Sequence, residues 1–202
     1  MDIYLLALKA GLLSGRYRTQ GIQIIEETES QQSVAVDGVT KTQLEHSRHV
    51  KSFLKEIEAN QYYLRLLQLP WKKIPWGRGK FLPRLAYRYG DDGQTSDVLE
   101  ELKSVVEKSY GVTVRSIWCN QYRNGQDYTP EHQDQYGGYV FTLSFGQDRV
   151  LYFRNTSTGE RTNLKLEHGD LNYFSPQWDA AHRHCVPKDK SQSIRISVVF
   201  FT

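Results

Sequence analysis

After Gly111 the chain divides into short apolar-rich stretches at 112–122, 138–145, 149–155, 161–166, 171–174 and 193–201. Tight turns separate them: Phe145-Gly146-Gln147-Asp148, Thr158-Gly159-Glu160 and His168-Gly169-Asp170. Short strands at close spacing cannot each carry a crossover helix. They must pair with one another in antiparallel sheets, which predicts a sandwich or a barrel. One helix precedes them. Val98, Leu99, Leu102, Val105 and Val106 fall on one stripe of 97–110. Ser96 or Asp97 stands at its start and Gly111 supplies the stop.

Upstream the pattern is weaker. Glu26–Ser33 reads as a polar loop and Val34–Val39 as a strand with a turn. Thr42–Asn60 has helical composition, with Leu44, Phe53, Leu54 and Ile57 as the candidate apolar face. The expected organisation of the 202 residues is therefore an N-terminal extension over 1–60, a basic aromatic segment over 61–96 and a β core over 97–202. The class is α+β with a mainly β core. Two cysteines, Cys119 and Cys185, are too few for a disulfide scaffold, so a reducing, intracellular setting (nuclear or cytoplasmic) is the expectation. Met1–Lys9 is briefly apolar but lacks a basic leader and is interrupted by Lys9, which makes a poor signal peptide. No apolar run approaches the roughly 20 residues of a membrane span. A soluble monomer is expected, with no membrane partner.

Within the strand-rich half, His132-Gln133-Asp134 places two ligating side chains at i and i+2, which share one face of a strand. A third ligand must then come from a distant strand. His182 and His184 are the candidates. Two imidazoles and one carboxylate cap one face of an iron(II) ion and leave the other positions open for a co-substrate and dioxygen. Arg195 lies in Ser193–Phe201, an otherwise apolar strand. An inward guanidinium there is costly without an anion, and a carboxylate is its bidentate partner.

A second constellation lies between Glu58 and Asp91, a window with no acid. It contains Arg65, Lys72, Lys73, Arg78, Lys80, Arg84 and Arg88, interleaved with Trp71, Trp76, Phe81, Tyr87 and Tyr89. Cations neutralise phosphates and aromatics stack on exposed bases. The same composition also suits a solvated loop whose aromatics anchor it to the core. The net charge of +3 does not by itself demand a nucleic-acid partner.

These segments carry a family resemblance. Residues from about 75 to 202 resemble the AlkB-like iron(II)- and 2-oxoglutarate-dependent dioxygenases. Asn120-Gln121-Tyr122-Arg123-Asn124-Gly125 is similar to that family's Asn-x-Tyr-x-x-Gly strand end, and His184-Cys185-Val186-Pro187 to its His-x-x-Pro. Pro83–Gly93 resembles a substrate-side segment of the animal nucleic-acid repair branch, and Trp76-Gly77-Arg78 its duplex-entering finger.

The resemblance implies a double-stranded β-helix (jelly-roll) with flanking helices. It implies His132, Asp134 and His184 as iron ligands, which favours His184 over His182. Asn120, Tyr122, Arg195 and Ser197 would hold 2-oxoglutarate, with Arg195 on its far carboxylate. Trp76, Arg78, Lys80, Arg84, Tyr87, Tyr89, Gln135 and Tyr136 would face a nucleic-acid substrate, Trp76 stacking on or wedging between bases and Arg78, Lys80 and Arg84 near phosphates. The implied reaction uses dioxygen to oxidise a substrate C–H bond; on an N-methyl group of a DNA or RNA base it ends in demethylation. Three positions depart from the family. Ser197 and Phe201 stand where its last strand carries Asn and a second Arg, and Tyr136 where an acid often follows. An aromatic strand that stacks on the base in the repair branch is missing, because Gly93 runs almost directly into the helix at Asp97. An oxygenase acting on a protein or small molecule, or a non-catalytic nucleic-acid-binding relative, remain the alternatives at this stage.

Overall fold

The computed structural model describes residues 44, 46–75, 79–90, 95–134 and 136–202. The expected loop at 26–33 and strand at 34–39, and Trp76, Arg78 and Gln135, lie outside the described residues. Within them the β-strands are β1 (Ser47–Val50), β2 (Lys72–Pro75), β3 (Phe81–Arg88), β4 (Ser116–Tyr122), β5 (Thr129–His132), β6 (Val140–Gly146), β7 (Arg149–Asn155), β8 (Arg161–Leu166), β9 (Leu171–Phe174), β10 (His182–Val186) and β11 (Arg195–Phe201). The helices are α1 (Glu56–Leu66), α2 (Asp97–Tyr110) and α3 (Pro176–Ala181).

Two antiparallel sheets form a jelly-roll. The larger has the order β1-β9-β6-β11-β4-β3-β2 and the smaller β5-β10-β7-β8. Each strand expected after Gly111 is present. The helix expected over Thr42–Asn60 is corrected: Ser47–Val50 instead pairs with Leu171–Phe174 at the sheet edge, and the helix begins at Glu56. Sheet pairing overrides helical composition there, and His49 Nε2 hydrogen-bonds the Asp170 carboxylate at 2.7 Å. Residues 72–75 and 81–88, within the basic aromatic segment expected over 61–96, form the antiparallel strands β2 and β3 on the far edge of the large sheet.

Two apolar clusters hold the layers together. On the outer face of the large sheet, Ala59, Tyr63 and Leu66 of α1 and Val98, Leu99, Leu102 and Val106 of α2 pack on Ile117, Cys119, Phe141, Leu143, Phe145, Ile196, Val198 and Phe200. Helix α2 stops at Gly111, whose φ of 62° is left-handed and whose N–H returns to Glu107 O. Ser96 occupies the N-cap with an extended backbone but no side-chain cap bond. The second cluster lies between the sheets: Tyr122, Val140, Leu151, Phe153, Leu166, Phe174, Val186 and Phe201. It is interrupted by buried polar groups, and the candidate site sits among them.

Candidate metal and co-substrate site

Alternation along three strands builds this site. On β4, Trp118, Asn120 and Tyr122 turn toward the small sheet. On β11, Arg195, Ser197, Val199 and Phe201 do the same, and β3 contributes Arg84. Together with Thr129, His132, Asp134, Thr142, Leu151, Phe174, His184, Cys185 and Val186 they line a cavity of about 160 Å³.

At one end of the cavity, β5 and β10 pair so that His132 lies opposite His184. The Asp134 carboxylate reaches both, at 3.5 Å from each Nε2, and the candidate ligand atoms of the three residues all lie within 4.8 Å of one another. His132 Nδ1 donates to the Pro130 carbonyl at 2.9 Å, which leaves Nε2 as the free lone pair. Burial pushes the His184 pKa down to about 4, so its imidazole stays neutral and able to ligate. For His132 burial also lowers the pKa, but the hydrogen bond and charge of Asp134 outweigh it and the net shift is upward. This donor set fits iron(II). His182 lies apart from it: its Nδ1 meets the Trp178 carbonyl at 2.8 Å and its ring stacks on Trp178.

The opposite end is cationic. Arg195 is 2 % exposed, its Nε donates to Ser144 Oγ at 3.1 Å, and its buried Nη1 has no hydrogen-bond partner among the described residues. Burial lowers its pKa, as expected for a guanidinium that lacks a counter-ion. The guanidinium carbons of Arg195 and Arg149 lie 5.1 and 5.3 Å from the centre of the Tyr122 ring, whose hydroxyl bonds Thr129 Oγ1 at 2.6 Å. A carboxylate entering the cavity would supply the acceptor that Arg195 lacks, so this end fits one carboxylate of 2-oxoglutarate. Asn120 is a connector. Its Oδ1 accepts from Arg84 Nε and Trp118 Nε1, both at 2.7 Å, and its Nδ2 donates to Ser197 Oγ at 3.3 Å. One amide N–H remains for a ligand.

The substrate-side residues separate. Arg84 is inside the cavity rather than on a phosphate-facing surface. Tyr87 and Tyr89 are on the other side of the sheet: Tyr87 is buried in the helix-facing core and Tyr89 donates to Glu100 on α2. Strand periodicity explains this, since Tyr87 pairs with Cys119 while Ala86 pairs with Asn120. Both tyrosines are therefore corrected away from the cavity. Lys72, Lys73 and Lys80 are exposed along the β2–β3 edge, with Phe81 beside them at 54 % exposure. Arg88 lies over Trp118 at 5.5 Å. Tyr136 is 51 % exposed and packs on Phe201 at 4.1 Å between ring centroids, so it forms a ledge beside the cavity.

Some residues of the site went unread in the sequence. Trp118 was legible, because it shares its face with Asn120 and Tyr122. Arg149 carried the same signal as Arg195, a charge heading an apolar strand. Asp179 gave no signal. It lies on α3, accepts from the Asp134 backbone N–H at 3.3 Å and stands 3.9 Å from His184 Nδ1. Gln133 Nε2 donates to the Asp179 and Ala180 carbonyls, so α3 clamps the loop that carries Asp134. Gly125, in the turn after β4, packs so tightly on Asp189 that a Cβ would collide with its backbone carbonyl.

A jelly-roll whose cavity is lined by two histidines, one aspartate and a buried arginine fits the facial metal site of a non-haem iron oxygenase, with the arginine able to receive a carboxylate. The chain belongs to the 2OG-Fe(II) oxygenase superfamily, whose family model matches residues 27–200. Within it the chain is AlkB-like, and the family implies iron(II) and 2-oxoglutarate. It is 29% identical over 181 residues to human alpha-ketoglutarate-dependent dioxygenase alkB homolog 3, covering 74% of this chain and 63% of that protein. It is 26% identical over 152 residues to the DNA oxidative demethylase ALKBH2 of Bos taurus, covering 62% of this chain and 55% of the relative. The chain thus spans less than two thirds of the length of these relatives. The solved structure of OsALKBH1 shares the fold at a TM-score of 0.65 and 14% identity, covering 80% of this chain and 100% of that one. Among the described residues no helix is long and apolar enough to cross a membrane.

Proposed function

We propose that the chain is a dioxygenase that hydroxylates or oxidatively demethylates alkylated bases in DNA or RNA. The observation that carries the oxygenase reading is the His132–Asp134–His184 cluster in one cavity with Arg195, whose buried Nη1 has no hydrogen-bond partner among the described residues. Iron(II) with 2-oxoglutarate, when bound, supplies the power to insert one oxygen atom of dioxygen into a C–H bond while the co-substrate is decarboxylated to succinate.

The chain's own residues do the rest. His132 and His184 present Nε2 and Asp134 a carboxylate oxygen to one face of the ion. Arg195, steadied by Ser144, receives the far carboxylate of 2-oxoglutarate. Leu151, Phe174, Val199 and Phe201 keep that region dry, which strengthens each charge interaction inside it. An N-methyl carbon hydroxylated there gives an unstable hydroxymethyl group, which leaves as formaldehyde.

Two observations support a nucleic-acid substrate: the names of the relatives, and the row Lys72, Lys73 and Lys80 with exposed Phe81 on the β2–β3 edge. A base in a duplex must be flipped out to reach the cavity, and one in a single strand need not be. The test is mass spectrometry of methylated DNA and RNA oligonucleotides incubated with protein, iron(II), 2-oxoglutarate and ascorbate. Loss of a methyl group with matching succinate supports the reading. Succinate formed only with a protein or small-molecule additive would replace it.

A further inference from the structure

Two buried arginines line the cavity, and one carboxylate satisfies only one of them. Arg84 is 8 % exposed, and its Nε donates to Asn120 Oδ1. Its Nη1, like that of Arg195, is buried and has no hydrogen-bond partner among the described residues. Asp134 is the one carboxylate among the residues lining the cavity, and it reaches both histidines at 3.5 Å. With Asp134 engaged there, the lining offers neither guanidinium an anion.

The register of the large sheet places the two. On one side of β4, Tyr122 pairs with Arg195 of β11. On the other side Gln121 pairs with Leu85, so the preceding Arg84 falls beside Tyr122. The two arginines are level, on the strands that flank β4, about 10 Å apart at the usual strand spacing. Their side chains part sideways. Arg195 Nε turns to Ser144 on β6, whereas Arg84 Nε turns to Asn120 on β4. Arg84 is also on the side of β5: the Pro83 carbonyl accepts the Tyr128 N–H at 3.1 Å, and Thr129 then begins the strand that carries His132. The cavity thus presents two separate buried donors, one on the side of a metal-ligand strand and one away from it.

We infer that Arg84 is a second co-substrate residue: it holds the carboxylate of 2-oxoglutarate beside the keto group, while Arg195 holds the far one. This rests on the oxygenase reading above and is independent of the nucleic-acid one. A buried donor without a partner is costly, and a charged acceptor satisfies it better than a neutral one. Two guanidiniums in one weakly screened cavity also repel each other, and a ligand with two negative charges offsets both. Asn120, fixed at its Oδ1 by Arg84 and Trp118, keeps one amide N–H for the same carboxylate. The last strand supplies no second cation, because Phe201 stands where the family carries an arginine. Strand β3 supplies one instead.

The test uses the full chain with cobalt(II), whose visible absorption reports ligand binding, and two unreactive probes. N-oxalylglycine carries both carboxylates; N-methyloxamate keeps the oxalyl end and lacks the far carboxylate. Arg84→Gln should weaken both probes by about ten- to a hundredfold, the scale of one charge-assisted hydrogen bond. Arg84→Lys keeps the charge and should recover part of that affinity. Arg195→Leu should weaken N-oxalylglycine and leave N-methyloxamate nearly unchanged. Urea unfolding should find the metal-free Arg84→Gln chain as stable as the parent or more so, because a buried donor without a partner is gone. Unchanged affinity of Arg84→Gln for both probes would overturn the inference. So would a loss confined to N-oxalylglycine, which would put Arg84 on the far carboxylate. An Arg84→Gln chain that unfolds more easily and also binds cobalt(II) alone less well would make Arg84 a structural residue and overturn it too. Failure of the unaltered cobalt(II) chain to bind N-oxalylglycine at all would bring down the oxygenase reading with it.

Discussion

Alternate residues of the same strands build two chemically different faces of the large sheet. On β11, Ile196, Val198 and Phe200 turn to the helices, whereas Arg195, Ser197, Val199 and Phe201 turn to the small sheet. On β4 the division is Ile117 and Cys119 against Trp118, Asn120 and Tyr122. The helix-facing side is a continuous apolar core, dry enough that burial pushes the Cys119 thiol well up. The inner side buries an arginine with an unpartnered nitrogen and a neutral histidine whose Nδ1 also lacks a hydrogen bond. One side is built to hold the fold and the other retains unmet polar groups. Unmet buried groups cost stability, so they persist where a ligand completes them.

If that division holds, the largest effect on the inner side is loss of the metal. His184→Ala should abolish manganese(II) or cobalt(II) binding in calorimetry, while His182→Ala should retain it. Stability of the metal-free His184→Ala protein should be little changed, because the removed imidazole held one nitrogen without a partner. Reversed outcomes for the two histidines would place the distal ligand at 182 and break the comparison.

The next effect separates the faces directly. Phe200→Ala empties part of the helix-facing core and should lower unfolding stability by about 3–5 kcal/mol, with metal and co-substrate affinities kept. Arg195→Leu should do the opposite. Removing the partner of a buried carboxylate costs about 3–5 kcal/mol, so the 2-oxoglutarate dissociation constant should rise by about two to three and a half orders of magnitude. The metal-free Arg195→Leu chain should be as stable as the parent or more so. Paired urea unfolding and co-substrate titrations check both variants; an Arg195→Leu chain that unfolds easily but binds 2-oxoglutarate normally would make Arg195 a structural residue.

This difference between faces also explains what was legible beforehand. The strands after Gly111 show because turns bound them and sheet residues repeat with period two. Arg195 shows because a charge in an apolar strand is conspicuous, and His132 and Asp134 because their spacing matches one strand face. The substrate side did not read as well. Composition marks the window from Arg65 to Arg88 as basic and aromatic, but it does not say which face each residue takes. An odd offset along the pleat sends Arg84 into the cavity and Tyr87, three residues on, into the core. Nor could a sequence pattern reveal β1: Ser47–Val50 is polar, and only its long-range pairing with β9 makes it a strand. Asp179 is invisible for a similar reason, since its role depends on where α3 sits over the loop of Asp134.

That role yields the third prediction. Asp179 reaches two ligands carried by neighbouring strands of the small sheet, the Asp134 backbone just after β5 and the His184 ring on β10. Outer partners of metal ligands typically contribute about 10–100-fold in affinity. Asp179→Ala should weaken cobalt(II) binding by about that factor and alter the visible absorption of the cobalt form, while Asp179→Asn should recover part of the loss. A purely structural Asp179 would lower the unfolding midpoint without moving the cobalt spectrum.

The smallest effect concerns acid. His184 is held near a pKa of about 4 by burial, and burial also depresses His168, whose Nδ1 accepts the Gly146 backbone N–H at 2.8 Å. Both are neutral in the folded chain and take up protons more readily when unfolded. The stability this provides is complete above the ordinary histidine value near 6.5 and is lost as pH falls toward each folded value. His132, shifted upward, works in the other direction and offsets part of the loss. Urea unfolding of the metal-free chain should therefore show stability falling from pH 7 to pH 5, by at most about 1.4 kcal/mol per unit for each depressed histidine. His168→Asn keeps an acceptor for Gly146 but does not titrate, so it should flatten the slope without touching the inner face. If instead the slope is unchanged in His168→Asn and vanishes in His184→Ala, the acid sensitivity belongs to the cavity alone. The helix-facing side would then be as inert to protons as its apolar packing suggests.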